Sequence, residues 1–158
     1  MTMSRVKKTK KIAFLIVLAA LLTAPLVHAS RFGRDGFSGN PGTNGGSTCS
    51  ACHAPGATQP TLLLTGPSAV TAGTTHEFVA TLIGGPGLTG GLSISSTDAV
   101  GTFLPIDPDL QQVGDEISHT EPKAFASGQV EFRFNWTAPS FNGTYTLYGA
   151  GNSTDGQV

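Results

Sequence analysis

The chain has 158 residues, 39% hydrophobic and 12% charged, with a formal net charge of −1. Five of the nine bases lie within the first eleven positions, so residues 30–158 hold only Arg31, Arg34, Lys123 and Arg133 against all ten acids, a formal charge of −6. Four scattered cations on an acidic chain provide no electrostatic footprint for nucleic acid or anionic lipid, which excludes nucleic-acid binding.

The start, MTMSRVKKTKK, is basic, and the apolar run IAFLIVLAALL follows it. TAPLVHA comes next, with Val27 and Ala29 at the −3 and −1 positions of a cleavage site. This order describes a secretory signal peptide over residues 1–29. A membrane-spanning helix needs about 20 apolar residues; Ile12 to Leu22 is half that before Thr23, Ala24 and Pro25 weaken the helix. Ser30, and not a cysteine, follows the cut, which argues against a lipoprotein. The mature protein is therefore expected outside the cytoplasm, in the periplasm or at the cell surface of a bacterium.

Residues 30–58 form a glycine-rich segment around GSTCSACHAPG, with seven glycines and two prolines between Phe32 and Gly56. Backbone entropy disfavours a long helix or strand there, so something other than a core of its own must order it. From residue 59 to 158 the pattern changes to short β-type runs separated by Gly, Pro, Asp and Asn. The candidates are TLLLTG (61–66), HEFVATLIG (76–84), GLSISS (91–96), GTFLP (101–105), GQVEFRFNW (128–136) and GTYTLYGAG (143–151). In the fifth, Val130, Phe132, Phe134 and Trp136 face one way and Glu131, Arg133 and Asn135 the other, the period of a half-buried strand. No later stretch has helical periodicity. The expected fold is all-β: an immunoglobulin-like antiparallel β-sandwich preceded by a Gly-rich CxxCH haem-attachment loop. The Cys-Trp-Cys pattern of true immunoglobulin domains is missing, because both cysteines precede the domain. Between Pro105 and Lys123 the run PIDPDLQQVGDEISHTEPK is acidic and proline-interrupted. It reads as a long excursion with one short strand near EISHT, of the kind that carries function on a β-scaffold. Asp107 with Asp109, and Asp115 with Glu116, offer too few ligands for calcium and read as a solvated acidic loop.

Cys49, Cys52 and His53 are the chemistry-bearing group. A zinc site needs about four ligands, and the other histidines of the β-region, His76 and His119, are isolated in sequence. A thioredoxin-like motif would sit in a βαβ unit. A Cys49–Cys52 disulfide is feasible in an oxidising compartment but closes too short a loop to stabilise much. The covalent haem reading uses every feature present: two thiols for two vinyl groups, a histidine in register for the iron, and export. The cofactor is then haem c, bound by Cys49, Cys52 and His53, and it would give the glycine-rich segment a core. Both methionines, Met1 and Met3, leave with the leader, so the sixth iron position falls to a histidine or stays open. His119 is the first choice, because a loop can fold over the haem segment; His76, fixed at the start of a strand, is the second. Glu116 and Glu121 are the expected carboxylate partners of the His119 ring.

The ordered series GRDGFSGNPGTNGGSTCSACH, ISHTEP, FRFNWTAP and YTLYGAGNSTDG resembles the choice-of-anchor V family. These are exported bacterial proteins with a Reelin-type, immunoglobulin-like β-domain behind a CxxCH segment. The resemblance spans residues 30–158 and implies a cell-envelope protein, usually with a C-terminal anchoring signal. It also implies that His119, in ISHT, is a family feature, whereas His76 has no matching motif. The chain stops at STDGQV without such an anchor and is read as a fragment, so contact with a membrane is expected only through the missing anchor. Three functions follow. The first is a monohaem, cytochrome-like protein passing electrons to a redox partner in the cell envelope. The second is an adhesion or ligand-binding β-module in which CxxCH is secondary. The third is a haem sensor or enzyme with an open iron site. Electron transfer or binding is favoured over catalysis, since no Ser-His-Asp spacing or phosphate-binding loop is present.

Overall fold

The structure is a computed structural model that describes residues 30–53, 56 and 58–155. The expected signal peptide, residues 1–29, lies outside the described residues, as do residues 156–158. Nine strands follow one another: β1 Thr61–Thr65, β2 Thr75–Ile83, β3 Thr89–Ser96, β4 Thr102–Pro105, β5 Leu110–Val113, β6 Glu116–His119, β7 Lys123–Ala124, β8 Gln129–Thr137 and β9 Leu147–Thr154. They make two antiparallel sheets packed face to face. One runs β1-β2-β8-β4. The other is centred on β3, with β9 along one side and β6 and β7 along the other, β5 lying outside β6. Among the described residues no helix is long and apolar enough to cross a membrane.

The alternation in β8 decides which face is inside. Val130, Phe132, Phe134 and Trp136 are buried, while Glu131 and Arg133 between them are exposed. Across the ladder Phe78, Ala80 and Leu82 of β2 stand opposite Phe134, Phe132 and Val130, so two strands bury one continuous stripe. Phe134 is its centre, with ring centroids 5.9 Å from Phe78 and 5.7 Å from Phe103. The second sheet closes the core with Leu92, Ile94, Leu110 and Ile117.

The order β1-β2-β8-β4 matches the A-B-E-D sheet of immunoglobulin domains, and the β3–β9 pair stands where strands C and F pair. Strands β5, β6 and β7 are then an insertion between the fourth and fifth positions of that scheme. The expected irregular excursion is thus mostly regular. Leu110–Val113 and Glu116–His119 form a hairpin in register from Leu110↔His119 to Val113↔Glu116. Gly114, with φ +60°, takes the turn position that a two-residue hairpin gives to glycine. The strand Leu110–Val113 escapes a sequence reading because only Leu110 is buried and its neighbours are glutamines.

Two other expectations change. The last strand starts at Leu147, not at Gly143, because Tyr145 turns a corner: its hydroxyl donates to the Phe141 carbonyl at 3.0 Å and its ring packs on Trp136. The acidic loop is not solvated at Asp107, which is only 9% exposed. Its carboxylate accepts the Arg133 N–H at 3.1 Å and Nε–H at 3.2 Å, and Lys123 Nζ lies 3.2 Å away. Lys123 also pairs with Asp109 at 3.0 Å. This cluster uses two of the four cations of residues 30–158 to tie the insertion to β8.

Replacing Phe134 with alanine is expected to cost about 3–5 kcal/mol, as for buried aromatics generally, read as a shift in the urea midpoint. A second expectation concerns acid. Burial by itself would raise the Asp107 carboxyl, but the Arg133 N–H and the Lys123 ammonium outweigh it and hold it below its usual 3.8. A depressed carboxyl contributes stability that is complete above its unfolded value and is lost as pH falls through the folded one. Asp107→Asn should therefore weaken the fold at neutral pH and flatten its loss of stability in acid, measured by denaturant melts from about pH 6 down to about pH 3.

Candidate functional site

Residues 30–53 are held to the sandwich by hydrogen bonds. Glu116 of β6, 3% exposed, accepts the Gly36 N–H at 2.9 Å, the Ser38 hydroxyl at 3.2 Å and the Ser93 hydroxyl at 2.7 Å. Beside it Ser38 and Ser95 share a 2.7 Å hydroxyl bond. Asn40 Nδ2 donates to Ser95 Oγ at 3.1 Å and to the Ser96 carbonyl at 3.0 Å. Further in, the Gly33 N–H donates to the His119 carbonyl at 2.9 Å. A Cβ on Gly33 would lie 2.2 Å from that carbonyl oxygen, so only glycine lets the chain come so close. The polar face of β3, Ser93 and Ser95, is thereby buried beneath the glycine-rich segment. These hydrogen bonds to the sandwich supply the order that the segment, without a core of its own, was expected to take from elsewhere.

His119 sits where the β3 ladder breaks. Ser93↔Ser118 and Ile94↔Ile117 pair in one register, but Thr89↔Ala124 and Gly90↔Lys123 pair two residues later. Gly91 and Leu92 therefore lie opposite four residues, His119 to Pro122. Pro122 cannot donate to a ladder, and a bulge of this kind re-aims side chains. The Leu92 peptide takes side-chain partners instead: Ser118 Oγ donates to its carbonyl at 2.7 Å, and His119 Nδ1 lies 3.1 Å from both its nitrogen and its oxygen. Nδ1 either accepts the Leu92 N–H, with the ring proton on Nε2, or donates its own proton to the Leu92 carbonyl; the second tautomer leaves on Nε2 the lone pair that a metal needs. The ring lies flat on Gly91, where an added Cβ would be 2.6 Å from Cε1. Burial lowers the imidazole below its usual 6.5; the Leu92 and Arg31 carbonyls oppose this, and the charge of the nearby His53 adds to it.

The CxxCH stretch closes one turn, Cys49–Ala51, in which the Cys49 carbonyl accepts the Cys52 N–H at 3.3 Å and the His53 N–H at 3.1 Å. Residues i, i+3 and i+4 of a turn share a face. All three, Cys49, Cys52 and His53, line one cavity of about 460 Å³, and His119 lines the same cavity. Gly90, Gly91 and Leu92 of β3 contribute to its wall, with Phe32, Phe37 and Pro122 as apolar surface. A second, more polar cavity of about 380 Å³ adjoins the first and shares Cys49, His53, Asn152 and Thr154 with it. The two thiols are free. That of Cys49 is pushed up to about 11, chiefly by burial, with its own backbone hydrogen bond opposing and Cys52 reinforcing the shift.

His76 is elsewhere. It pairs with Trp136 across β2 and β8, bonds Thr74 Oγ1 at 2.7 Å, and lines neither cavity. The expected carboxylate partners of His119 are also engaged elsewhere, Glu116 with the glycine-rich segment and Glu121 with Arg31 at 3.7 Å. Among the described residues no three His, Cys, Asp or Glu side chains come together as a site for a bare metal ion. A porphyrin iron makes no such demand, since the ring supplies four nitrogens and the protein only the axial ligands. The residues fit such a group: a cavity within the roughly 300–1,000 Å³ range of cofactor sites, lined by two thiols and by the imidazoles of His53 and His119. The roles of Gly91, Leu92 and Glu116 were not visible in the sequence; the one available signal was the glycine pair inside a strand pattern, which marks a close approach. Comparison of the chain with protein-family models, with curated proteins and with solved structures gives no match.

Glu116→Ala would strand the Gly36 N–H and the Ser93 hydroxyl, at about 1–3 kcal/mol for each buried group left without a partner. The expected result is faster tryptic cleavage after Arg31 and Arg34 than in wild type, before the sandwich itself is cut, read by mass spectrometry of a digestion series.

Proposed function

We propose that this protein is an exported c-type monohaem protein that carries single electrons to a redox partner in the cell envelope, and we place it with the choice-of-anchor V proteins on the ordered motifs quoted above. The observation that carries the reading is the meeting of the CxxCH turn and His119 on one cavity, although 66 positions separate His53 from His119. Cys49 and Cys52 would hold haem c covalently, and His53 and His119 would be the residues that bind its iron. Each thiol adds across one vinyl group, sulfur to one carbon and hydrogen to the other, so no atom leaves and no oxidant is consumed. When bound, haem supplies an iron that alternates between ferrous and ferric states.

The chain's own groups support this assignment over its competitors. A thiol raised to about 11 is almost wholly protonated at neutral pH, which makes a poor disulfide-exchange nucleophile and weighs against a two-cysteine switch. The Leu92 carbonyl can hold His119 Nδ1–H and so direct Nε2 outward as a ligand. Gly91 lets the imidazole lie against the strand. Imidazole ligation without methionine suits a low-potential electron carrier.

Protein exported together with a haem-attachment system should gain the mass of one haem and stain for haem on a denaturing gel; a bare polypeptide mass would overturn the proposal and favour a β-module without cofactor. In the loaded protein His119→Ala should convert a low-spin spectrum to high-spin and admit carbon monoxide, while His76→Ala stays low-spin. The reverse pattern would move the ligand to His76, and a high-spin wild type would point to an open iron site.

A further inference from the structure

The four cations of residues 30–158 are divided unevenly between two tasks. Lys123 and Arg133 are taken up by Asp107 and Asp109. Arg31 and Arg34 both line the cavity that holds the CxxCH turn, and no Asp or Glu among the described residues lines it. In a chain with ten acids and four bases beyond its leader, a cavity lined by half of those bases and by no acid calls for an anionic ligand. Chance distribution of charge would have placed acids there first.

We infer that Arg31 and Arg34 are the carboxylate-recognising pair of this cavity, set to hold the two propionates of a porphyrin. The inference rests on the haem reading and extends it to the residues that orient the ring. A protoporphyrin carries vinyl groups and propionates on different pyrrole rings, so one molecule can meet two thiols and two guanidiniums together. Arginine suits the task, because its planar fork binds a carboxylate through two parallel hydrogen bonds. The present partners of both side chains are weak. Arg31 lies 3.7 Å from Glu121, with the two side chains 53% and 62% exposed, and an exposed pair of this kind contributes little. The Arg34 guanidinium rests 6.0 Å from the centroid of the Phe37 ring, which also lines the cavity. Arg31 and Arg34 belong to the same docked segment as the two cysteines, and the Gly33 and Gly36 backbone bonds beside them set their position on the sheet. Cation and thiol are thus held in one frame.

The test separates carboxylate recognition from iron ligation by using metal-free protoporphyrin IX and its dimethyl ester, neither of which can bind a histidine through iron. Porphyrin fluorescence is titrated with the full mature chain, without attached haem. The free acid should bind about tenfold or more tightly than the ester, the equivalent of one or two charge-assisted bonds, and added salt should narrow the gap. Arg31→Gln with Arg34→Gln should remove the preference while leaving ester binding unchanged; Arg31→Lys with Arg34→Lys should restore part of it. Equal binding of acid and ester by wild type, or an undiminished preference in the glutamine pair, would overturn the inference. The mass of protein exported with the attachment system is read in parallel. Haem attached to a wild type that shows no acid preference sinks the arginine assignment alone, whereas acid preference without attachment sinks the c-type reading and leaves the arginines as a porphyrin-carboxylate site.

Discussion

The Glu116 carboxyl is the constraint on which the site depends. It lies between β3 and the segment 30–53 and accepts one backbone N–H and two hydroxyls. Burying such a group without partners is costly, and the partners come from both sides of the contact, Ser93 from the sheet and Gly36 and Ser38 from the segment. The segment and the sheet face therefore satisfy each other. The segment's six glycines, without side chains to pack, would otherwise be ordered at a high entropic cost for little burial. Polar networks of this kind stabilise when complete and destabilise when broken, which makes Glu116 the point where the cavity wall is held or lost.

The second constraint is the broken ladder beside β3. An uninterrupted strand from Glu116 to Ala124 would place alternating side chains above and below the sheet and keep their directions fixed. Two extra residues end that regularity at His119, where the Leu92 peptide groups turn to the Ser118 and His119 side chains. Glycine at position 91 leaves the sheet surface bare, and the imidazole occupies it. The histidine is thus held by strand geometry but not confined to strand direction. The insertion that carries it is tied down at its far end by Asp107 with Lys123 and Arg133, so its base is rigid on the same sheet that bears the aromatic core.

These two constraints bring four groups of different chemistry to one cavity: thiols, imidazoles, guanidiniums and apolar rings. Burial keeps Cys49 protonated and His119 neutral. A catalytic thiol would require the opposite, a thiolate stabilised by a nearby positive charge. These properties support the proposed reading, in which the cavity would hold a large, flat, partly anionic group, and a protonated Cys49 is a poor nucleophile.

From the sequence alone came the β-sandwich, the inward stripe of Val130, Phe132, Phe134 and Trp136, and the choice of Cys49, Cys52 and His53 as one chemical unit. Those features are periodic or adjacent, and local spacing dictates them: a strand repeats every two residues and one turn gathers positions i, i+3 and i+4. The preference for His119 over His76 rested on which histidine belonged to a loop, and the loop proved to be a hairpin followed by a bulge. Only the tertiary structure decided that residues 30–53 lie on β3, that Glu116 is a buried anchor and not a solvated acid, and that Gly91 faces an imidazole. Each of these is a pairing between groups from 23 to 80 positions apart, and one residue's type does not reveal its partner until the sheets have set the register. The two arginines were visible as leftover charge, but their position on a cavity without acids is a property of the folded surface, where distance through space replaces distance along the chain.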